Sequence, residues 1–189
     1  MPKYDEAMDA YSVLMHEAKQ RLLAMDKALE WKTGLPIAAV CEYCFLQLRM
    51  LCELIALGCL TAHGDLQIGK DLRKAWQADK IIHLLQQLHP KFYPYAATER
   101  ETATELRNEG FTKEELVKLY GKCGDVLHRG TFQTLWSRKS GDADIEEIRT
   151  WKQKIEARLS SHAILMADGS TVALFKLWEE QVTLENEQR

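Results

Sequence analysis

The sequence contains little proline, little glycine and no large excess of charge of either sign. Four prolines and ten glycines in 189 residues leave room for long helices, because these are the residues that most disfavour a helix interior. The net charge is −3, so a uniformly basic surface for nucleic acid is not expected. With 46% hydrophobic and 28% charged residues, the composition is that of a globular protein large enough to bury a core.

Several motifs that identify common enzyme classes are absent. The sequence has no GxGxxG, no P-loop, no HExxH, no GxSxG and no EF-hand loop. The pair Cys41 and Cys44 lies inside a predicted helix and has no second pair, so neither a redox site nor a zinc site is expected. We therefore expect no cofactor and no metal, and favour an interaction protein or an enzyme whose motif is small.

One long apolar segment raises the question of a membrane span. Ile37 to Ala62 contains Glu42, Arg49 and Glu53, and its longest run without a charge, Leu54 to Gly64, is too short to cross a bilayer. The N-terminus has no apolar targeting segment. Four of the five cysteines share one predicted helix, which favours reduced thiols over disulfides. We expect a cytoplasmic protein that does not insert into a membrane.

Apolar spacing predicts a mainly α protein, an antiparallel bundle of about five helices. The first helix has a seam in steps of three and four, which indicates packing on an antiparallel neighbour or on a second copy. Thr112 and Glu115 form a capping-box pattern at the start of the fourth helix. The seam residues are Met8, Tyr11, Met15, Ala18, Leu22, Met25 and Leu29. The predicted helices run from about Asp5 to Trp31, Pro36 to Ala62, Ala78 to Leu88, Thr112 to His128, and Asp142 or Asp144 to Leu159.

The C-terminal part changes character after residue 160. Asp168 and Gly169 lie between two apolar runs, which predicts a small β-hairpin within residues 161–185. The competing interpretation is a helix, with one face formed by Val172, Phe175, Trp178 and Val182. The hairpin is favoured. No linker or internal repeat is visible, so residues 1–189 are expected to form one domain, with the helical bundle in residues 1–160.

A polar line in the second helix is the first candidate site. Glu42, Arg49 and Glu53 are seven and four residues apart, which places them on one narrow face. One interpretation is a solvent-facing stripe, or an ion pair in which Arg49 satisfies Glu53. The other is a polar site facing the bundle interior, because unpaired charges are costly in so apolar a helix.

The second candidate site is the end of the fourth helix. His128 lies in its last turn, with Gly124 and Tyr120 one and two turns earlier on nearly the same face. One interpretation is a C-terminal histidine satisfied by a core partner. The functional interpretation is a general acid–base or a phosphate contact, with Arg129 as a neighbouring anion-binding group. Further along, Arg158 and His162 are expected to be a cation pair at the surface end of the last helix.

Two stretches resemble the HEPN superfamily of bacterial helical proteins. They are the run Phe45–Ala56, which contains Arg49 and Glu53, and the later Leu119-Tyr120-x4-Asp125-x2-His128. The resemblance implies a helical bundle, usually a dimer that brings two late-helix histidines together. Many members are metal-independent ribonucleases of toxin–antitoxin or phage-defence systems, and others are non-catalytic partners. The family's catalytic pattern R-x4–6-H is incomplete here, because positions 121–123 hold Gly, Lys and Cys instead of arginine.

Three functions follow as expectations. The leading one is a non-catalytic, homodimeric binding module for RNA or a partner protein, of a bacterial defence or toxin–antitoxin type. The second is a metal-independent ribonuclease with His128 and Arg129 as catalytic candidates. The third is a small-molecule pocket in the bundle core, lined by Arg49, Glu53, Tyr120 and His128. The candidate binding residues are Arg49, Glu53, Tyr120, Lys122 and Asp125.

Overall fold

The computed structural model describes residues 4–30, 34–63, 69, 72, 74–97, 110–128, 145–169 and 171–178. This part of the chain contains five α-helices and a small antiparallel sheet, so the predicted mainly α class is confirmed. The helices are α1 (Tyr4–Leu29), α2 (Ile37–Ala62), α3 (Ala78–Leu88), α4 (Lys113–Leu127) and α5 (Ile145–Ser160). The strands are β1 (Tyr95–Ala96), β2 (Ser161–Leu165) and β3 (Val172–Lys176).

The seam of α1 is buried against α2. Every predicted seam residue is buried. Arg21 Nη1 donates to Gln47 Oε1 at 2.9 Å, and the Tyr11 ring lies over Gly58, where an added Cβ would be 2.9 Å from Cε2 of that ring. The earlier residue of α1, Tyr11, contacts the later residue of α2, Gly58, and the later residue Arg21 contacts the earlier residue Gln47. The two helices are therefore antiparallel. The partner of the seam is a helix of the same chain, not a second copy.

Helix α2 is the central element of the bundle. It contacts the other four helices, and residues on most of its circumference are buried, including Phe45, Leu48 and Ile55. By length and composition alone it would be able to cross a bilayer. The four surrounding helices account for its apolar composition, as expected for the core helix of a bundle.

The predicted C-terminal hairpin is confirmed, and the alternative helix is not formed over Val172–Lys176. Strands β2 and β3 are antiparallel, with Ser161 opposite Lys176 and Leu165 opposite Val172. In the turn between them, Gly169 has φ +73°, a left-handed conformation that favours glycine. A strand that the sequence did not predict, β1, pairs with the other edge of β2, giving the order β1-β2-β3.

The prediction of a surface cation pair is wrong for both residues. Arg158 is 1% exposed and His162 is fully buried. Helix α5 ends at Ser160, so His162 lies on β2 and not on the helix. Arg158 Nε donates to Phe111 O at 3.1 Å and Nη1 donates to Pro94 O at 3.2 Å. Arg158 thus joins α5 to the segment before β1 and to the chain entering α4.

The environment of His162 fixes its protonation state. Its Nδ1 is 3.0 Å from Leu159 O, and its Nε2 is 2.6 Å from the Tyr11 hydroxyl. Burial lowers the pKa of His162 to about 4, against the smaller opposing effect of the backbone hydrogen bond at Leu159. The ring is therefore neutral at pH 7, with Nδ1–H donating to the carbonyl and Nε2 accepting from the tyrosine.

All five cysteines are buried thiols, as expected for core residues. Burial raises the pKa of Cys44 to about 11 and that of Cys123 to about 12. Because the thiolate is the reactive form, these side chains are poor nucleophiles and poor metal ligands at pH 7. The pair Cys41 and Cys44 belongs to the core, as its position inside a helix predicts.

Candidate functional site

Arg49, Glu53 and Tyr120 form a polar cluster at the contact between α2 and α4. Arg49 Nη2 donates to Tyr120 Oη at 2.8 Å, and that hydroxyl donates to Glu53 Oε1 at 3.2 Å. Arg49 Nε lies 3.4 Å from the same Glu53 oxygen. The guanidinium carbon is 4.3 Å from the centroid of the Tyr120 ring, within the range of a cation–π contact.

The cluster is electrically compensated and only partly open to solvent. The side chain of Arg49 is 23% exposed and that of Glu53 is 16% exposed. Burial raises the pKa of Tyr120; Arg49 opposes this shift and Glu53 adds to it, so the phenol is neutral at pH 7. The predicted ion pair between Arg49 and Glu53 is confirmed. Glu42, placed on the same line by its spacing, is exposed and takes no part in the cluster.

Gly124 brings Arg49 against the backbone of α4. A Cβ atom added to Gly124 would lie 3.5 Å from Arg49 Nη1, which is ordinary van der Waals contact. Arg49 contacts both Gly124 and Tyr120 of α4, whereas Glu53, one turn later on α2, contacts the earlier of these two residues, Tyr120. The two helices therefore run antiparallel. Within the described part of the chain, Arg49 Nη1 donates to no acceptor. Gly124, against which it lies, is four residues before His128.

His128 caps the C-terminal end of α4 with its backbone, not with its ring. Its N–H donates to Gly124 O at 3.0 Å. The side chain is exposed, and its ring forms no hydrogen bond with the described residues. The prediction of a core partner for His128 is therefore wrong, whereas an accessible histidine at this helix end is present. Arg129, the other catalytic candidate, lies outside the described residues.

Lys122 and Asp125 do not join the polar cluster. Lys122 Nζ pairs with the carboxylate of Glu147 on α5, and Trp151 Nε1 donates to Glu147 Oε1 at 3.2 Å. Lys122 is thus held on the α5 side of α4, whereas Tyr120 faces α2. Asp125 is exposed on the outer side of α4. Of the seven predicted site residues, the structure brings together three, Arg49, Glu53 and Tyr120. The core pocket that these three and His128 were expected to line stays a prediction.

Sequence reasoning missed an exposed apolar surface beside the cluster. On α2, Tyr43 is 39% exposed and Leu46 is 44% exposed; on α4, Val117 is 37% exposed. We call the outward side of these two helices the α2–α4 face. The three-residue step from Tyr43 to Leu46 places both side chains on one side of α2, and this spacing was the available signal. It could not be used, because a helix that is apolar all round has no sequence contrast between its buried and exposed sides.

Metal-binding chemistry has no support in the described residues, where no group of three or more His, Cys, Asp and Glu side chains is placed to hold an ion. Comparisons with protein-family models, with curated proteins and with solved structures find no match for this chain. The HEPN resemblance therefore stays a prediction, and the geometry of the α2–α4 face is what bears on function.

Proposed function

We propose that this chain is a non-catalytic helical binding module that acts as a homodimer through its α2–α4 face. The proposal rests on the ion pair in which Glu53 neutralises the positive charge of Arg49. Cleavage of RNA needs positive charge available to the phosphate in the transition state, but Arg49 is held by Glu53 and Lys122 is held by Glu147. The net charge of −3 also provides no general attraction for a polyanion.

The surface of α2 and α4 suits association with protein. Three of its side chains, Tyr43, Leu46 and Val117, are apolar and more than a third exposed, and exposed apolar area is what a protein partner can cover. Because α2 occupies the seam of α1, a dimer has to use a different face. The HEPN resemblance would make this module the partner of a toxin or of a phage-defence effector in the cytoplasm.

The homodimer is tested by light scattering on a size-exclusion column over a hundredfold range of concentration. We expect twice the mass of the chain at the upper end of the range. A mass equal to one chain at every concentration would overturn the homodimer.

A second candidate, a metal-independent ribonuclease, is favoured by one observation: His128 is exposed and follows Gly124, the residue of α4 against which Arg49 Nη1 lies, by four residues. In that reaction the ring would take the proton of the ribose 2′-hydroxyl as the oxygen attacks phosphorus, and return a proton to the departing 5′-oxygen. Arg49 Nη1 would contact the phosphate oxygens.

RNA cleavage in EDTA separates the two functions. The variants are His128→Ala and, as a matched control, His83→Ala, because His83 is an exposed histidine on α3. A non-catalytic module shows no cleavage by any of the proteins. Cleavage that survives in His83→Ala but is lost in His128→Ala would overturn the non-catalytic proposal, and Glu53→Gln would then raise the rate by releasing Arg49.

A further inference from the structure

The outer side of α4 has one straight stripe of exposed residues in steps of four, three, four and three. This spacing aligns side chains along one side of a helix and is the spacing with which helices pack in pairs. We call it the α4 stripe. Its members, all exposed, are Glu114, Lys118, Gly121, Asp125 and His128.

The charges of the α4 stripe are arranged symmetrically about Gly121. Lys118 lies three residues before the glycine and Asp125 four residues after it, whereas Glu114 and His128 are each seven residues away. An antiparallel copy of α4 that crosses at Gly121 would therefore place Lys118 beside the partner's Asp125. It would also place Glu114 beside the partner's His128, whose ring N–H can donate to a carboxylate. Each contact occurs twice because of the two-fold axis.

Gly121 fits the crossing point of two helices. Glycine in a helix interior costs about 1 kcal/mol relative to alanine. No heavy atom lies within 4 Å of an added Cβ at this position, so the described residues give no internal reason for a glycine. Gly58 differs, because there the Tyr11 ring occupies the space of a side chain. A solvated charged face needs no glycine either, whereas a second backbone approaching α4 does.

The surroundings of the stripe can supply apolar area to such a contact. Val117 lies next to Gly121 on the side of α4 that faces α2, and it is 37% exposed. Leu46 and Tyr43 are exposed on α2. Among the described residues, Glu114 forms a loose ion pair of 3.9 Å with Lys113, and Lys118 acts electrostatically on the neighbouring Glu115. Lys118 and Asp125 form no ion pair with the described residues, so both charges can face a second copy.

We propose that α4 is the dimer interface and packs antiparallel on α4 of a second copy, with the crossing at Gly121 and reciprocal pairs between Lys118 and the partner's Asp125. This inference rests on the proposed homodimer and specifies its surface and register. The partner is a second copy of this chain because opposite charges face each other when one α4 stripe is aligned antiparallel to another.

Charge reversal tests the register. Lys118→Glu and Asp125→Lys each place two pairs of like charges across the axis, so we expect each variant to raise the dimer dissociation constant roughly tenfold in low salt. The double variant restores opposite charges, and we expect it to return to within about threefold of the wild type. The dissociation constants are measured by sedimentation equilibrium. Lys27→Glu is the matched control, since Lys27 is exposed on α1, a helix that takes no part in the proposed interface.

A steric variant tests the crossing point. Gly121→Leu adds bulk where the chain itself leaves open space, so the monomer should keep its helical circular dichroism and its thermal stability while the dimer weakens at least tenfold. A monomeric wild type defeats the proposed homodimer itself. A dimeric wild type whose dissociation constant is unchanged in both single reversals and in Gly121→Leu defeats the α4 interface and leaves the homodimer standing.

Discussion

His162 shows at the residue scale how one side chain holds separate elements together. Its Nε2 accepts from the Tyr11 hydroxyl on α1, and its Nδ1–H donates to Leu159 O at the end of α5. Its ring also stacks on Phe175 of β3, with ring centroids 5.5 Å apart. Protonation would remove the acceptor that Tyr11 uses and place a charge in the core, so only the neutral ring fits this position.

The stability of the protein should therefore fall in mild acid. The pKa of His162 is about 4 in the fold and about 6.5 in the unfolded chain. Between these values the unfolded state binds the proton and the folded state does not, so the free energy of unfolding falls as the pH falls. We expect His162 to contribute a loss of about 3 kcal/mol between pH 6.5 and pH 4. Urea unfolding at a series of pH values measures it.

The variant His162→Gln isolates this contribution. We expect it to be less stable than the wild type at pH 7 and to lack the part of the pH dependence that His162 provides. The control His83→Gln changes an exposed histidine and should keep the wild-type dependence. A His162→Gln curve parallel to the wild-type curve from pH 4 to pH 7 would contradict the assignment.

At the same scale, the sequence determines local pairs better than distant ones. The four-residue step from Arg49 to Glu53 predicts their ion pair, because residues at that spacing are neighbours on a helix. The sequence groups Tyr120 with Arg49 and Glu53 only as one hypothesis, the lining of a core pocket. Its spacing does not predict the contact itself, since that contact depends on how α4 packs against α2. The error at Arg158 has the same origin: the backbone carbonyls of Phe111 and Pro94 that cover it are far away along the chain.

At the scale of elements, the packing of α1 on α2 depends on Gly58. The Tyr11 ring above it is buried and held by its bond to His162, so it has little freedom to move away from an added methyl group. We expect Gly58→Ala to lower the free energy of unfolding by about 1–3 kcal/mol, as overpacking of a core does. Chemical denaturation measures this change.

Gly124→Ala is the matched control for Gly58→Ala, because its added Cβ would make only an ordinary contact of 3.5 Å with Arg49 Nη1. There the gain in helix propensity should dominate, and stability should rise by up to about 1 kcal/mol. If both variants stabilise the protein to the same extent, the Tyr11 ring does not constrain Gly58.

The helices are the elements that the sequence predicts best. The seam of α1 and the capping box at Thr112 are local signals, and both hydrogen bonds of the box are present. β1 was missed because a strand of two residues has no alternation to detect. Tyr95 and Ala96 are in a strand because they pair with Ala163 and His162, which is a contact distant in sequence.

At the scale of the whole molecule, β2 is anchored to several helices at once. It is the middle strand of the sheet, and Ala163 and Ile164 are fully buried. Besides the bond between His162 and α1, the Nε2 of His63 at the end of α2 lies 3.0 Å from Leu165 O. The Nε2 of His89, which follows α3, lies 3.2 Å from Met166 O.

We expect the backbone amides of β2 to exchange with solvent only when the whole fold opens, because the strand has no route to separate from the bundle alone. Native-state hydrogen exchange should give these amides the free energy of global unfolding, whereas amides of the first turn of α1 should exchange by fraying. A distinctly lower exchange free energy for β2 would mean that the hairpin opens as an independent unit.

The pairing of β1 with β2 has a further consequence for the length of the chain. Because Tyr95 pairs with Ala163, everything between them, including α4 and α5, belongs to one closed loop. The entropy lost in closing a flexible loop grows only with the logarithm of its length, so that doubling a loop costs about 0.6 kcal/mol. An insertion into the connection between α4 and α5 should therefore cost the sheet little free energy, and a deletion there should matter only where it shortens the reach between the two helices.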